Sequence, residues 1–474
     1  MQNSELNTPR SPCVFSRDGL QRNSCWALAI FATALLLRLL VLAATFHGND
    51  SVYYYDDAKI ALNLIAGNGY SISYEYRNWL FYESTLKTAK LKDPVTEGTR
   101  ITAVKQPAYP LLLAGIFYCF GPRNFLIVFV FQAVVSSLTA ATMFLALRKS
   151  APFAALGAAL GMAIYPPMFL HSVTTPESTT LLLLLIAALY LCLVKLRERA
   201  HWSPWLAAGA IGGLAVLTEP VTVPFVGLCL CYALYLDDEP MTLRFRRFAV
   251  AISIAVLLVS PWLLRNYMVF NRFPVFKSGV GLVFNWGLYF SGKGSWIADE
   301  RMVALEQAGR SRSELEEDEA IRQELRSLFP SHWREYVTYN IPSNFIHFWW
   351  DVRRYWSNYS FGYLFGRRIP YLVLLVLAIP SLCRSIARLI RQPRATLLRS
   401  VPEVVGLLLI GSYTLVYSFF GSFHSRYRLP VEMALFVFAG LTIQPVVERL
   451  WRHWMPLSSE SPPPTRSAML SSSL

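Results

Sequence analysis

Charge is what this 474-residue chain has least of: 16% of its residues are Asp, Glu, Lys or Arg, 54% are hydrophobic, and mean hydropathy is +0.37. Soluble chains carry about 25% charged residues, so a water-soluble globular domain is excluded. Cysteine is few and unpatterned. Cys13, Cys25, Cys119, Cys192, Cys229, Cys231 and Cys383 stand mostly in or beside apolar runs, with no metal-type spacing and no disulfide framework. No duplication relates the two halves, and polar residues stand at the ends of apolar runs rather than in their middles. Both absences argue against a transporter built from inverted repeats around a midplane site. Acidic residues are short too, 30 against 44 basic, for a net charge of +14. That excess falls at the ends of apolar runs rather than on a soluble module. It is the Lys/Arg bias of cytoplasmic membrane loops, and no nucleic-acid partner is expected.

What is present is a series of apolar runs, several near the roughly 20 residues that span a bilayer. The expected fold class is an all-α polytopic membrane protein, a bundle of about ten transmembrane helices with interfacial helices and a large outer-face loop. Residues 1–24 read as a polar cytoplasmic N-terminus, with Arg10, Arg17 and Arg22 ahead of an uncleaved first helix. Residues 25–447 form the membrane domain and 448–474 a cytoplasmic Ser/Pro-rich tail. The spans are expected near Cys25–Phe46, Phe125–Leu147, Ala151–Leu170, Ser178–Val194, a hairpin turning at Thr218–Val221, Phe248–Leu264, Pro370–Leu382, Pro402–Phe420 and Leu429–Val447. Pro107–Phe120 is short and broken by Pro110 and Gly115, which suits a helix lying at the interface. With that assignment Arg148-Lys149, Lys195–Arg199, Arg244–Arg247, Arg384–Arg399 and Arg449–Arg452 all fall on the cytoplasmic side. Letting Pro107–Phe120 cross would put two of these clusters outside.

Two long outer segments follow, 47–124 and 266–369. In the second, Asp299–Leu328 reads as one amphipathic surface helix, its Glu314–Glu319 patch as a solvated face, and Phe345–Trp350 with Tyr355-Trp356 as an interface belt.

The same topology brings Tyr55, Asp56, Asp57, Lys105, Glu177, Glu219, Arg265, Arg426, Tyr427 and Arg428 to the outer face. Charge is costly beside hydrocarbon, so its gathering on one side marks a site. Asp56-Asp57 can deprotonate a hydroxyl or hold a metal. It can equally be the acidic first turn of a helix; one reading does not exclude the other. Asp56, Asp57 and Glu177 have the oxygen ligands a divalent ion such as Mg, Mn or Zn takes, with His47, His171 and His424 near the same face. Snorkelling anchors are the plainer account of Lys105, Arg426 and Arg428, and a helix cap of Glu177.

The order Asp56-Asp57-Ala58, Gly67-Asn68-Gly69-Tyr70, Lys105–Leu112, Ala163–Pro167, Thr175-Pro176-Glu177, Gly212–Thr218, Ser260–Tyr267 and Arg426–Pro430 carries a resemblance. It resembles the polyprenyl-phosphate-sugar-dependent glycosyltransferases of the GT-C superfamily, in particular protein O-mannosyltransferases and the lipid A aminoarabinose transferase. The resemblance implies a GT-C bundle and transfer of a sugar from a polyprenyl-phosphate donor to a lipid, glycan or protein acceptor, through a hydroxyl or phosphate. It implies action on the periplasmic side of a bacterial inner membrane. It assigns the catalytic base to Asp56, with Asp57 beside it, and donor-phosphate contacts to Lys105, Arg265, Arg426 and Arg428. Glu177, Glu219, Tyr55 and Tyr427 fall to acceptor or metal support. One position departs: relatives carry Arg or Lys after Leu-Thr, where this chain has Glu219, so a phosphate contact is not expected there.

The chemistry is consistent on its own terms. Cations stabilise a leaving phosphate through charge-assisted hydrogen bonds, and a positioned carboxylate accepts the acceptor's proton. A single displacement inverts the anomeric carbon, without the covalent intermediate of retaining enzymes. The rival readings are a transporter or flippase for a lipid-linked substrate and a ligase using a lipid-pyrophosphate donor.

Overall fold

The computed structural model describes residues 25–52, 54, 56–74, 98–198, 201–272, 276–310, 313–350, 364–421 and 425–454. The expectations for residues 1–24, Tyr55, Tyr355-Trp356, His424 and the end of the tail lie outside the described residues. The chain opens with α1 (Cys25–Thr45), followed by α2 (Asp56–Ile65) and a ribbon of β1 (Ser71–Tyr74) and β2 (Gly98–Ile101). Next come α3 (Ala108–Phe120), α4 (Phe125–Leu147), α5 (Pro152–Ile164), α6 (Pro166–Thr174), α7 (Thr179–Glu198), α8 (Trp202–Thr218) and α9 (Val223–Leu236). The second half holds α10 (Met241–Phe270), α11 (Val280–Leu288), α12 (Asp299–Arg310), α13 (Glu314–Glu335), α14 (Ile341–Trp350), α15 (Ile369–Arg391), α16 (Pro393–Arg399), α17 (Val401–Phe420) and α18 (Leu429–Trp454).

The protein is an integral membrane protein of the expected helical class. Among the described residues seven helices are long and apolar enough to cross a membrane, or eight if the α5–α6 pair, bent by 44°, is one span. The other two expected crossings are α8 and α9, at 17 and 14 residues. Both fall short of the roughly 20 residues a perpendicular span needs, so the count of ten is not reached on length alone. The segment expected to lie at the interface forms α3, a separate apolar helix of 13 residues.

The bend between α5 and α6 has a local cause. Pro166 and Pro167 bring no N–H to the carbonyl of Ala163, which would otherwise accept from residue 167. Arg38, 1% exposed in the middle of α1, donates Nη1 to that carbonyl at 3.0 Å and Nε to Ser136 Oγ at 2.9 Å. A guanidinium in the bilayer is tolerated where it satisfies backbone that lipid cannot, and here it ties α1 to α4 and to the bend. Small residues set the approach of α8 and α10. A side chain at Gly209 or Gly213 would press on the backbone of Ala251 or Ala255, a small-xxx-small contact of the kind that joins membrane helices without a hydrophobic drive.

At one end of the bundle Arg197 pairs with Asp238 at 2.6 Å, and Arg247 with Asp237 at 2.9 Å, while Trp205 Nε1 donates to Asp237 at 3.0 Å. The ends of α7, α8, α9 and α10 are thereby drawn together. The opposite end carries the ribbon, α3 and α11–α14.

Three features there were not expected. The first outer loop contains a β ribbon, with Ser71 paired to Ile101 and Tyr74 to Gly98. Gly67 and Gly69, with φ of +81° and +67°, turn the chain out of α2 into it. The expected single helix over Asp299–Leu328 is two, because Ser313 and Glu316 form a capping box that starts α13 afresh. The Glu314–Glu319 patch is also not a solvated face. Glu317 pairs with Arg100 at 2.8 Å, Asp318 accepts from the Gly281 N–H at 2.7 Å, and Glu314 accepts from the Ala103 N–H at 3.3 Å. Its carboxylates dock α13 onto the ribbon and onto α11.

Candidate active site

The ribbon sets the positions of the first charged residues. Asn63 on α2 donates its side-chain amide to Ser71 O at 3.0 Å, which holds α2 against β1. β2 then leads through Thr102 to Lys105, whose carbonyl accepts from the Tyr70 hydroxyl at 3.1 Å. Asp57, in the first turn of α2 and 2% exposed, therefore faces Lys105, with Oδ2 and Nζ 3.5 Å apart. The acidic first turn and the site are the same feature: Asp57 favours the helix start and presents its carboxylate to the interior.

Burial raises the Asp57 carboxyl above the usual carboxylate range, and Lys105 offsets part of that rise. Burial acts against the Lys105 charge, but the Asp57 and Asp56 carboxylates outweigh it and hold the ammonium protonated. The result is a poised base beside a permanent cation.

The pair opens into a cleft at the end of α9 opposite to Asp237 and Asp238. Six charged side chains line it: Asp57, Glu177 and Glu219 against Lys105, Lys277 and Arg426. Glu177, 2% exposed and just ahead of α7, forms an ion pair with Arg426, and His171 Nε2 stands 3.9 Å from its other oxygen. Glu219 arrives from the turn between α8 and α9. Tyr413, Tyr417 and Tyr427 supply aromatic walls, Tyr417 and Tyr427 being stacked at 5.2 Å. Flat rings with polar tips suit a ligand that offers both C–H faces and hydroxyls.

The structure thus brings together Asp57, Lys105, Glu177, Glu219, Arg426 and Tyr427 from five places in the sequence. It does not bring Asp56 to the lining; Asp56 is half-buried next to it and acts on Asp57 and Lys105 through its charge. Arg428 lies outside this cavity, donating to Glu432 at 2.7 Å and standing 3.6 Å over the Tyr371 ring.

Arg265 is also elsewhere. Its Nη1 donates to Thr102 O at 2.9 Å and to Asn266 at 2.8 Å, its Nη2 to Tyr70 O at 3.0 Å, and it stacks between Tyr70 and Trp262. A guanidinium fork spanning two carbonyls fastens both strands at one end of the ribbon. Arg265→Met should therefore lower folding stability by about 1.5–3 kcal/mol and weaken donor and acceptor binding alike, as thermal unfolding and two titrations would read. A loss confined to the donor would return Arg265 to direct phosphate contact.

Among the described residues no three His, Cys, Asp or Glu side chains converge as metal ligands. Glu177 is committed to Arg426, Asp57 faces Lys105, and His47 is exposed. The expected Asp56–Asp57–Glu177 donor set does not assemble, and no metal enters the chemistry below.

Sequence reasoning missed Lys277, Tyr413 and Tyr417. Lys277 is placed by its neighbours: Gln106 and Trp262 both donate to Phe276 O at 3.0 Å, and the Ser278 N–H donates to Ala103 O at 3.1 Å. The segment is pinned to the same strap that carries Lys105. A lysine on the outer face shortly after Arg265 was the available signal; the tyrosines repeat at i, i+4 near the outer end of an apolar run.

Comparison with known proteins places this geometry. The family model for dolichyl-phosphate-mannose-protein mannosyltransferase matches residues 104–264, which include Lys105, Glu177 and Glu219. No curated protein matches the sequence. Among solved structures, the archaeal oligosaccharyltransferase AglB from Archaeoglobus fulgidus, in complex with an inhibitory peptide and a dolichol-phosphate, is similar with a TM-score of 0.50 at 14% identity. That match covers 92% of this chain and 52% of AglB. ArnT from Cupriavidus metallidurans is similar in its apo state (TM-score 0.49, 15% identity, 90% of this chain and 61% of ArnT). The same holds when it is bound to undecaprenyl phosphate (TM-score 0.49, 16% identity, 91% and 62%). The chain thus spans less than two thirds of the length of these proteins. The likeness to AglB is one of fold, and it bears out the GT-C architecture expected from the motifs.

Proposed function

We propose that this protein is a membrane glycosyltransferase that moves a sugar from a polyprenyl-phosphate donor to an acceptor hydroxyl, at the non-cytoplasmic end of its helix bundle and with inversion. The observation that carries the reading is the cavity itself: a buried carboxylate, Asp57, within one space of three cations and an aromatic wall. The match to the mannosyltransferase model over 104–264 supports the reaction class, and AglB, solved in complex with a dolichol-phosphate, supports the donor class. The side of the membrane rests on the basic clusters at the opposite end.

In this reading Lys105, Lys277 and Arg426 hold the donor phosphate. The acceptor hydroxyl attacks the anomeric carbon, the bond from that carbon to the phosphate oxygen breaks, and polyprenyl phosphate leaves with the electron pair. Asp57 takes the hydroxyl proton. The cations act where charge develops, on the departing oxygen, in a site that excludes most water. Of the three, Lys277 stands on a wall without a carboxylate of its own among the described ion pairs, so a phosphate there displaces no internal partner.

Reconstituted protein given an α- or β-linked donor should release polyprenyl phosphate and yield product of the opposite anomeric configuration, as NMR coupling constants would read. Retained configuration would contradict a single displacement on Asp57.

A further inference from the structure

Gln132, in the first half of α4, is a polar side chain inside a spanning helix and does not line the cleft. It is 1% exposed. Its Nε2 donates to Thr175 O at 3.1 Å and to Thr180 Oγ1 at 3.2 Å, with Glu177 O 3.5 Å away. These acceptors enclose the turn between α6 and α7. Within it Glu177 N donates to Thr175 O at 3.0 Å across Pro176, a three-residue turn whose central φ suits proline. Glu177 is the carboxylate that ion-pairs with Arg426 just ahead of α18, and Arg426 in turn gives Nη2 to the Tyr427 hydroxyl at 3.3 Å. Helix packing does not account for an amide at this place. Phe144 and Leu147 of α4 already share one apolar core with Leu189 and Leu193 of α7. A polar group in a membrane helix is retained where it has a partner or a task. Gln132 Oε1 is buried with no hydrogen-bond partner among the described residues, a desolvation cost that leucine would not carry.

We propose that Gln132 is a positioning residue for donor binding. It fixes the Thr175-Pro176-Glu177 turn and, through the Glu177 carboxylate, fixes where Arg426 presents its guanidinium to the donor phosphate; this rests on the phosphate role that the transfer reading gives Arg426. Attraction between opposite charges is steep where water is scarce, so Arg426 follows the buried carboxylate that holds it. With an apolar side chain at 132, Thr175 O keeps a single donor among the described residues, Glu177 N, and the turn loses its tie to α4. A misplacement of about 1 Å at a reacting site can cost roughly 10²-fold. Asp57 and Lys105 are carried by α2 and by the segment after β2, which Gln132 does not touch. The effect therefore falls on the phosphate clamp and spares the base.

The test is binding of a short-chain polyprenyl phosphate, and turnover of polyprenyl-phosphate sugars, by the full-length protein in zwitterionic nanodiscs. Gln132→Leu should weaken polyprenyl-phosphate binding about tenfold or more and raise the donor KM to match, with the pH dependence of kcat unchanged. Gln132→Asn keeps an amide in α4 but is one methylene too short for the turn, and should act in the same sense. It carries the test should the leucine variant fail to fold. In a Glu177→Gln background Gln132→Leu should cost nothing further, because the carboxylate it acts through is gone. Wild-type affinity in either Gln132 variant would overturn the proposal. So would an undiminished loss in the Glu177→Gln background, which would assign Gln132 to bundle stability alone. Gln132-dependent binding without transfer from any donor would strike the transfer reading and leave the positioning role standing. No binding of polyprenyl phosphate by wild-type protein would end both.

Discussion

Asp57→Asn should lower sugar transfer by about 10²–10⁴-fold, the usual contribution of a positioned general base, while the protein still folds and binds donor. Asparagine keeps the shape that packs against Lys105 and removes the group that accepts the proton. The pH profile is the sharper reading. Burial raises the Asp57 carboxyl above an ordinary aspartate, and a base works only when deprotonated. The wild-type rate should therefore fall as pH drops through that raised value, at a higher pH than an ordinary carboxylate would give. In Asp57→Asn the residual rate should show no such limb. Asp56→Asn should be milder, because Asp56 acts on the pair through its charge. The reverse order, with Asp57→Asn near wild type and Asp56→Asn inactive, would return the base to Asp56.

Lys277→Met should weaken donor binding by roughly 10–100-fold, the worth of one charge-assisted hydrogen bond of about 1.5–3 kcal/mol. Methionine keeps the aliphatic stem, so packing against the strap changes little. Lys277→Arg should restore most of the affinity, since the charge returns. Acceptor binding should be nearly unchanged, which separates a phosphate contact from a general loss of structure. Arg426 is a poorer probe of the same point, because its removal leaves Glu177 buried without its ion-pair partner.

Helix positions were legible because each rests on one local property, a run of apolar residues bounded by charge. The Asp56-Asp57 feature was legible as well, since a carboxylate pair at a helix start beside a membrane has few uses. What sequence reasoning could not see was mutual orientation. Asp56 and Asp57 are adjacent, and which of them turns inward depends on the phase of a ten-residue helix fixed by Asn63 and Ser71. Arg265 carried a motif yet serves carbonyls of the ribbon, and the ribbon was itself invisible in a chain read as all helix. Lys277 carried no motif and reached the cavity because Gln106 and Trp262 hold its neighbour. The Glu314–Glu319 patch was read from composition as solvated, and its partners, Arg100 and the Ala103 and Gly281 amides, lie far away in sequence. Tertiary contacts decide such cases.

The most direct measurement of the central claim is release of polyprenyl phosphate from a panel of polyprenyl-phosphate sugars by purified protein, wild type and Asp57→Asn side by side. At least one donor should lose its sugar to wild type at neutral pH, with the Asp57→Asn rate lower by two orders of magnitude or more. Equal rates for the two proteins, or no release from any donor, would contradict a glycosyltransferase working through this cavity.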